Sequence, residues 1–249
     1  MITSKSNQFV KMIKSLQEKK YRELHMLYLI EGNKNILDIS KKKIKAKYII
    51  SCFELNESDY IAEEYILVSE ELLKYLSDEK SPQGIIAIYP ILYNDIDSLY
   101  DNKRVLCLDS VQNPDNIGAL IRTAKCCGYD SVILLPNCAD CYSPKAVRAS
   151  ASSIIDTNIV KLSINDLCAL KEIGFNVVVT DLNADDNPDI NWLKSILVIG
   201  NEGKGVSKEI IELSNQKVKI PIIGDCESLN AACAGAVLMY KSIDYLRIW

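Results

Sequence analysis

From residue 103 onward, short apolar runs alternate with longer amphipathic or alanine-rich stretches. The runs are VLCLD (105–109), SVILL (131–135), NIVKL (158–162), NVVVTDL (176–182), ILVIG (196–200) and VKIPI (218–222). Each has the length of a strand, and most of the intervening stretches are long enough for a crossover helix. The pattern predicts a mostly parallel sheet with helices on both faces. Ligands of such α/β sheets sit beyond the carboxyl ends of the strands, so the polar segments that follow the strands are where chemistry is expected. The first third reads differently. Phe9, Ile13 and Leu16, with Val10 and Met12 near them, recur at helical spacing, and Lys5, Lys11, Lys14 and Lys19 fill other positions. Leu27 to Ile30 is a short apolar stretch ended by Glu31-Gly32, KKKIKAKYIISC passes from charge into a β-branched strand, and GIIAIYP (84–90) reads as a strand closed by Pro90. The polar, acidic residues 91–102 read as a linker. The expected division is a small α/β domain over 1–90, that linker, and a larger α/β domain over 103–249.

Composition narrows the class. Of 249 residues, 48% are hydrophobic and 25% charged, which excludes a disordered, collagen-like or coiled-coil chain. No apolar run reaches the roughly 18 residues of a membrane span, and the Lys-rich start lacks the apolar region of a signal peptide, so a cytoplasmic protein is expected. The nine cysteines show no framework spacing. Cys138 and Cys141 form one CxxC without a second, and the single histidine, His25, lies far off among Leu24, Met26 and Leu27. Reduced thiols, a structural histidine and no metal are expected.

Charge adds a partner class. The net charge of −4 conceals a segregation: residues 1–48 carry twelve basic and four acidic groups (+8), 49–102 carry two and twelve (−10), and 103–249 are near balance at −2. A basic segment of this kind suits a polyanion, although a solvated face has the same composition. Lys41, Lys42, Lys43, Lys45 and Lys47 form the densest cluster. Period-two alternation would put Lys41, Lys43, Lys45 and Lys47 on one face of a strand edge, opposite Ile44, Ala46 and Tyr48.

Three strand-end segments carry candidate chemistry. After the first strand of the larger domain comes DSVQNPDNIGALIRTAKCCG, in which Asn116 or Asp115 can cap a helix starting near Ile117 and Arg122 falls in its second turn. A cap suffices locally for Asn116, and a surface ion pair for Arg122. After the fifth comes GNEGKGVSKE, where Gly200, Gly203 and Gly205 allow a tight turn around Glu202. After the sixth comes PIIGDCESLNAACAGAVLMY, in which Ser228 or Glu227 could begin a last helix dense in small residues. Neither a phosphate loop nor a GxGxxG fingerprint is present.

Taken in this order, NPDNIGALIRTA, VIGNEGKGVS and IPIIGDCESLN strongly resemble the SpoU (TrmH-type) branch of the SPOUT RNA 2′-O-ribose methyltransferases. KAVRASASSI resembles the family's helix at that place, with Ser152 and Ser153 standing where a Gly-Ala pair is usual. The N-terminal IKSLQEKKYRELHMLYLIEGNKNI resembles the substrate-binding domain often fused to these enzymes, similar to a ribosomal-protein α/β fold. The resemblance implies a C-terminal α/β knot, a deep trefoil, behind that small domain. It implies S-adenosylmethionine as cofactor, held around Thr180, Gly200, Asn201, Ile220, Ser228 and Leu229. Arg122, Asn116, Glu202, Ser228 and Asn230 match the family's catalytic and orienting positions. Arg122 matches an arginine for which a general-base role has been proposed, yet a guanidinium with a pKa above about 12 is a poor base at neutral pH, so a phosphate clamp stands beside that role. The implied partners are RNA, ribosomal in preference to transfer RNA, with the N-terminal lysines contacting it, and a second copy of the chain. The homodimer would form along Leu229, Cys233, Ala236 or Val237, Tyr240 and Ile243 of the last helix, a stripe that burial within one chain would also explain. Two readings of other classes are a catalytically silent RNA-binding protein of the same fold and a nucleotide-dependent metabolic enzyme. The intact Arg122, Glu202, Ser228 and Asn230 argue against the first, and the missing glycine fingerprints against the second.

Overall fold

A computed structural model describes residues 1–184, 189–225 and 228–245. The chain forms two compact units, residues 1–92 with 140–155, and residues 93–139 with 156–249.

The first unit holds a four-stranded sheet in the order β1-β4-β2-β3, from β1 (Leu27–Glu31), β2 (Ala46–Ser51), β3 (Ala62–Leu67) and β4 (Ile85–Pro90). β4 runs antiparallel to β1 and β2, and β3 lies parallel to β2. Helix α1 (Gln8–Ser15), capped by the Asn7 side chain, puts Val10 and Ile13 against Leu72, Leu73 and Leu76 of α4 (Glu70–Leu76) and against Leu29, Ile50 and Ile88 of the sheet. The apolar spacing read from the sequence is the spacing that faces this core. The lysine cluster is arranged differently from the expected strand face. Lys41 ends helix α3 (Asn33–Lys41), Lys42 caps it, and Lys43 turns the chain in the left-handed region at φ +60°. Of the four lysines only Lys47 lies within β2, which is an inner strand rather than an edge. The helix end and the left-handed residue break the period of two before the strand begins.

One feature of this unit had no sequence signal. Arg22, on α2 (Lys19–His25), is buried; its Nε and Nη2 donate to Asp140 Oδ2 at 2.9 and 2.6 Å, and its Nη1 to the Leu16 carbonyl at 2.7 Å. His25 lies exposed at the end of the same helix.

The second unit is a six-stranded sheet in the order β10-β8-β9-β5-β6-β7, parallel throughout. Its strands are β5 (Arg104–Leu108), β6 (Ser131–Leu134), β7 (Asn158–Lys161), β8 (Asn176–Thr180), β9 (Ser195–Ile199) and β10 (Gln216–Val218). Val105, Cys107, Val177, Val179, Ile196 and Val198 point to a core closed by α7 (Ile164–Glu172) and α8 (Lys208–Leu213). Against the opposite face lie α5 (Pro114–Cys126) and α9 (Ala231–Tyr245), which pack on each other. Cover on both faces explains why the strands are continuous apolar runs rather than alternating ones.

Two expectations are corrected here. The run 218–222 is not a strand: β10 ends at Val218 and the chain leaves the sheet, with Pro221 unable to donate to a ladder. The stretch 93–102 is not a bare connector, since Asn94 bridges Val160 and Leu99 is fully buried in the core against β7.

Candidate active site

Parallel pairing brings the carboxyl ends of β10, β8, β9 and β5 to one rim of the sheet. Val218 lies opposite Thr180, and Leu108 opposite Ile199. The three polar segments singled out in the sequence leave from this rim.

The first builds the start of α5. Asn113 caps it, its side chain accepting from the Asp115 N–H at 2.9 Å, and Pro114 takes the first helical position, where no N–H is needed. The helix thus begins three residues before the expected Ile117, and neither Asn116 nor Asp115 is its cap. Asn116 is instead 6% exposed, with both ends of its amide used. Its Nδ2 donates to Glu202 Oε1 at 2.9 Å, and its Oδ1 accepts from Asn230 Nδ2 at 3.0 Å.

The second segment delivers Glu202. After β9 the chain folds back on itself: the Asn201 N–H donates to the Gly205 carbonyl and the Gly205 N–H to the Asn201 carbonyl, each at 2.9 Å. The Asn201 side chain sets the turn, its Oδ1 accepting from the Gly203 and Lys204 N–H groups and its Nδ2 donating to the Ser110 carbonyl at 2.9 Å. A Cβ on Gly200 would lie 2.2 Å from the carbonyl carbon of Gly205, so no side chain fits there. Gly205 takes φ +71°, a conformation L side chains rarely adopt. At the tip, Glu202 accepts from the N–H groups of Gln112 at 3.2 Å and Asn113 at 3.1 Å as well as from Asn116. Its partial burial raises the carboxyl pKa, but the donors from Asn116 and from the backbone of Glu202, Gln112 and Asn113 outweigh this and hold it below the ordinary range. The positive end of α5 favours the same charge.

The third segment returns from β10 to α9. Ile220 is half-buried two residues past the strand, and Ser228 and Leu229 are exposed. Asn230, rather than Ser228, caps α9: its Oδ1 accepts from the Ala232 and Cys233 N–H groups at 2.9 and 3.3 Å. Glu227 lies outside the described residues. Gly235 lets α9 approach α5, since a Cβ there would come within 2.3 Å of Leu120 Cδ2.

Asn116, Glu202 and Asn230 are therefore joined in one network drawn from all three segments. Thr180, Gly200, Asn201 and Ile220 line the rim beside it. Arg122 stands apart, exposed on α5, and among the described residues it makes no hydrogen bond or ion pair, so the surface pair that would have explained it is absent. Sequence reasoning missed the part played by the backbone N–H groups of Gln112 and Asn113; the only available signal was Pro114, which marks the helix start that leaves those groups free for an acceptor.

Comparison with known proteins agrees with this architecture. The model of the SpoU rRNA Methylase family matches residues 103–240, and that of the MRM3-like substrate binding domain matches residues 7–87. A Bacillus subtilis protein named 23S rRNA (guanosine(2553)-2′-O)-methyltransferase RlmP is 31% identical over 248 residues, covering 96% of this chain and 97% of its own. The crystal structure of an AdoMet-bound rRNA methyltransferase from Sinorhizobium meliloti superposes with a TM-score of 0.88 at 26% identity, covering 98% of this chain and 97% of that one. The SpoU methyltransferase AviRb from Streptomyces viridochromogenes, in complex with AdoMet, gives 0.86 at 25% identity over 97% and 99% of the two chains. The fold and the family match together define an RNA methyltransferase of the SPOUT class. This chain belongs to the SpoU rRNA methylase family.

Proposed function

We propose that the protein transfers a methyl group from S-adenosylmethionine to a ribose 2′-hydroxyl of RNA, ribosomal RNA in preference to transfer RNA. The observation that carries this reading is the Asn116–Glu202–Asn230 network, which joins the three segments by which the chain resembles 2′-O-methyltransferases. The rim suits the cofactor. Thr180, Gly200, Asn201 and Ile220 sit at adjacent strand ends, and Ile222, Ile223 and Leu229 leave apolar side chains open to solvent beside the polar backbone of the same segment. These stretches, with Ser228, would hold the adenosine and methionine parts. S-Adenosylmethionine held there would supply an electrophilic methyl carbon for the ribose oxygen.

The remaining work falls to the chain's own residues. Arg122, without a partner among the described residues, offers a guanidinium with a planar fork of donors, suited to a phosphate beside the target ribose. Glu202, ionised and fixed by three donors, keeps the first two segments in register, and Asn230 ties the third to them. Residues 1–90 act as the RNA substrate-binding domain and 103–249 as the methyltransferase domain, with 91–102 between them. Lys41, Lys43 and Lys45 are exposed and Lys47 half-buried, and we assign all four to RNA contact.

The C-terminal domain forms the homodimer. Val237 is 47% and Tyr240 50% exposed, and with Leu229 and Cys233, also exposed, they make a stripe along α9 that the single chain leaves uncovered; Ile243 is buried. We assign to the C-terminal domain the family's trefoil knot, in which the last strands and helix thread through an earlier loop, and the cytoplasm as the site of action. Among the described residues no helix is long and apolar enough to cross a membrane.

The test is labelled methyl transfer to ribosomal and to transfer RNA lacking modifications, with mapping of the labelled nucleotide and the mass of the protein in solution. Label in transfer RNA alone would reverse the substrate preference. A fully active monomer would remove the dimer.

A further inference from the structure

We propose that Asp109 is a positioning residue for methyl transfer, gripping the loop that carries Glu202 at one end while its neighbour Ser110 grips the other. The inference rests on the functional reading above and adds a residue to it.

Asp109 directly follows β5, one of the two central strands of the sheet, and is 5% exposed. Among the described residues it has no ion pair with Lys or Arg. An unpaired buried carboxylate is costly to desolvate and is tolerated only where its oxygens are well used. Here both are. Oδ2 accepts from the Ser207 N–H at 2.7 Å, and Oδ1 from the Ser110 hydroxyl at 3.1 Å. Ser110 is itself held at φ +56°, in the left-handed region that costs a non-glycine residue about 1–2 kcal/mol. In that conformation its carbonyl receives Asn201 Nδ2.

The consequence is geometric. The loop 200–207 leaves β9 at Gly200 and enters α8 at Ser207. Ser110 holds its near end through Asn201, and Asp109 holds its far end through Ser207. Glu202 projects between the two grips onto the N–H groups of Gln112 and Asn113, only two and three residues beyond Ser110. Releasing Asp109 frees the far end of the loop and lets the strained Ser110 relax, which pulls apart both halves of the Glu202 contact. The Ser207 hydroxyl makes no contact in this grip, since its buried Oγ has no hydrogen-bond partner among the described residues.

The test uses the full chain with Asp109→Ala, Asp109→Asn and Ser207→Pro. Ser207 has φ −63°, within the range proline imposes, and in that variant a ring carbon that cannot donate takes the place of the N–H and crowds Asp109 Oδ2 off the loop. Asparagine keeps one carbonyl oxygen for the Ser207 N–H, and its amide can donate to the Ser110 hydroxyl, so Asp109→Asn should stay within about threefold of the parent. Asp109→Ala and Ser207→Pro should each lower kcat at least tenfold and combine without adding, because they remove the same contact. Hydrogen exchange at the amides of Gln112, Asn113 and Gly205 should speed up at least tenfold in both, while Leu106 and Val198 in the strands stay protected.

Unchanged exchange at those three amides overturns the proposal. Equal loss of protection throughout the sheet in all three variants also overturns it, because Asp109 would then only hold the fold. If the parent methylates no RNA while the exchange pattern appears as described, the methyltransferase reading has failed and the grip on the Glu202 loop stands.

Discussion

Asn230 donates its side-chain amide to Asn116 across 3.0 Å, although 114 residues of chain separate the two. Each asparagine has a second task. Asn230 caps α9, and Asn116 donates to Glu202. The one contact therefore ties together the starts of two packed helices and the loop after β9. Asn230→Ala leaves the buried Asn116 Oδ1 without its donor, which costs about 1–3 kcal/mol, whereas Asn116→Ala releases the exposed Glu202 and Asn230 to water. Asn230→Ala also loses a cap, for a further ~1 kcal/mol. Urea unfolding of both single variants and the double variant should give a coupling of about 0.5–1 kcal/mol; additivity would mean that the contact contributes nothing.

Arg122→Ala is expected to abolish turnover with little change in cofactor affinity. Arg122 has no partner among the described residues, so its loss leaves none of them unpaired and the fold should hold. An interaction used only as the reaction proceeds lowers kcat rather than ground-state binding. Arg122→Lys should rescue poorly, because an ammonium lacks the planar fork. Calorimetry with S-adenosylmethionine beside single-turnover kinetics separates the two effects, and near-normal turnover in Arg122→Ala would remove the residue from the mechanism.

Ser152 takes φ +65°, next to Ala151 at +45°. Left-handed backbone at Ser152 is what the glycine implied by the family resemblance at this place would adopt without strain. Ser152→Gly should relieve strain and raise stability by up to ~1 kcal/mol, the gain being offset in part by the freer unfolded chain. Gly200→Ala is the converse: its methyl would meet backbone at 2.2 Å, and no rotamer change can relieve that. It should open the 201–205 turn and lower the melting temperature sharply. Thermal melts of the two variants should move in opposite directions.

Five of the six apolar runs after residue 103, their parallel direction and the three motif segments were legible in the sequence, because cover on both faces demands continuous apolar runs and the motifs fall at strand ends. Helix starts were less legible. Pro114 permitted α5 to begin earlier than Ile117, but local propensity does not say that Asn116 will be taken by a glutamate 86 residues away. The lysine cluster misled for a similar reason: KKKIKAK has the alternation of a strand, yet a helix end and a left-handed Lys43 occupy it first. The buried Arg22–Asp140 pair joins residues 118 apart and left no local trace.

The carboxyl of Glu202 lies below its ordinary range in the folded protein, so the stabilisation it contributes is fully present above the unfolded value of about 4.3 and is lost only as pH falls through the lower folded value. The 201–205 loop should therefore hold through mildly acid conditions. In Glu202→Gln, hydrogen exchange in this loop should lose that acid-limb pH dependence. An unchanged acid limb would mean that another group sets it.

The central claim is the position of the methyl group, and alkali reads it directly. A methylated 2′-oxygen cannot attack the neighbouring phosphate, so the adjacent bond survives alkaline hydrolysis while every other RNA linkage breaks. The full chain is incubated with labelled S-adenosylmethionine and ribosomal RNA lacking modifications, and the product is hydrolysed in alkali. The account predicts that the label is recovered in an alkali-resistant dinucleotide, and that Arg122→Ala leaves none there. Label recovered only in mononucleotides, as a methylated base would give, contradicts it.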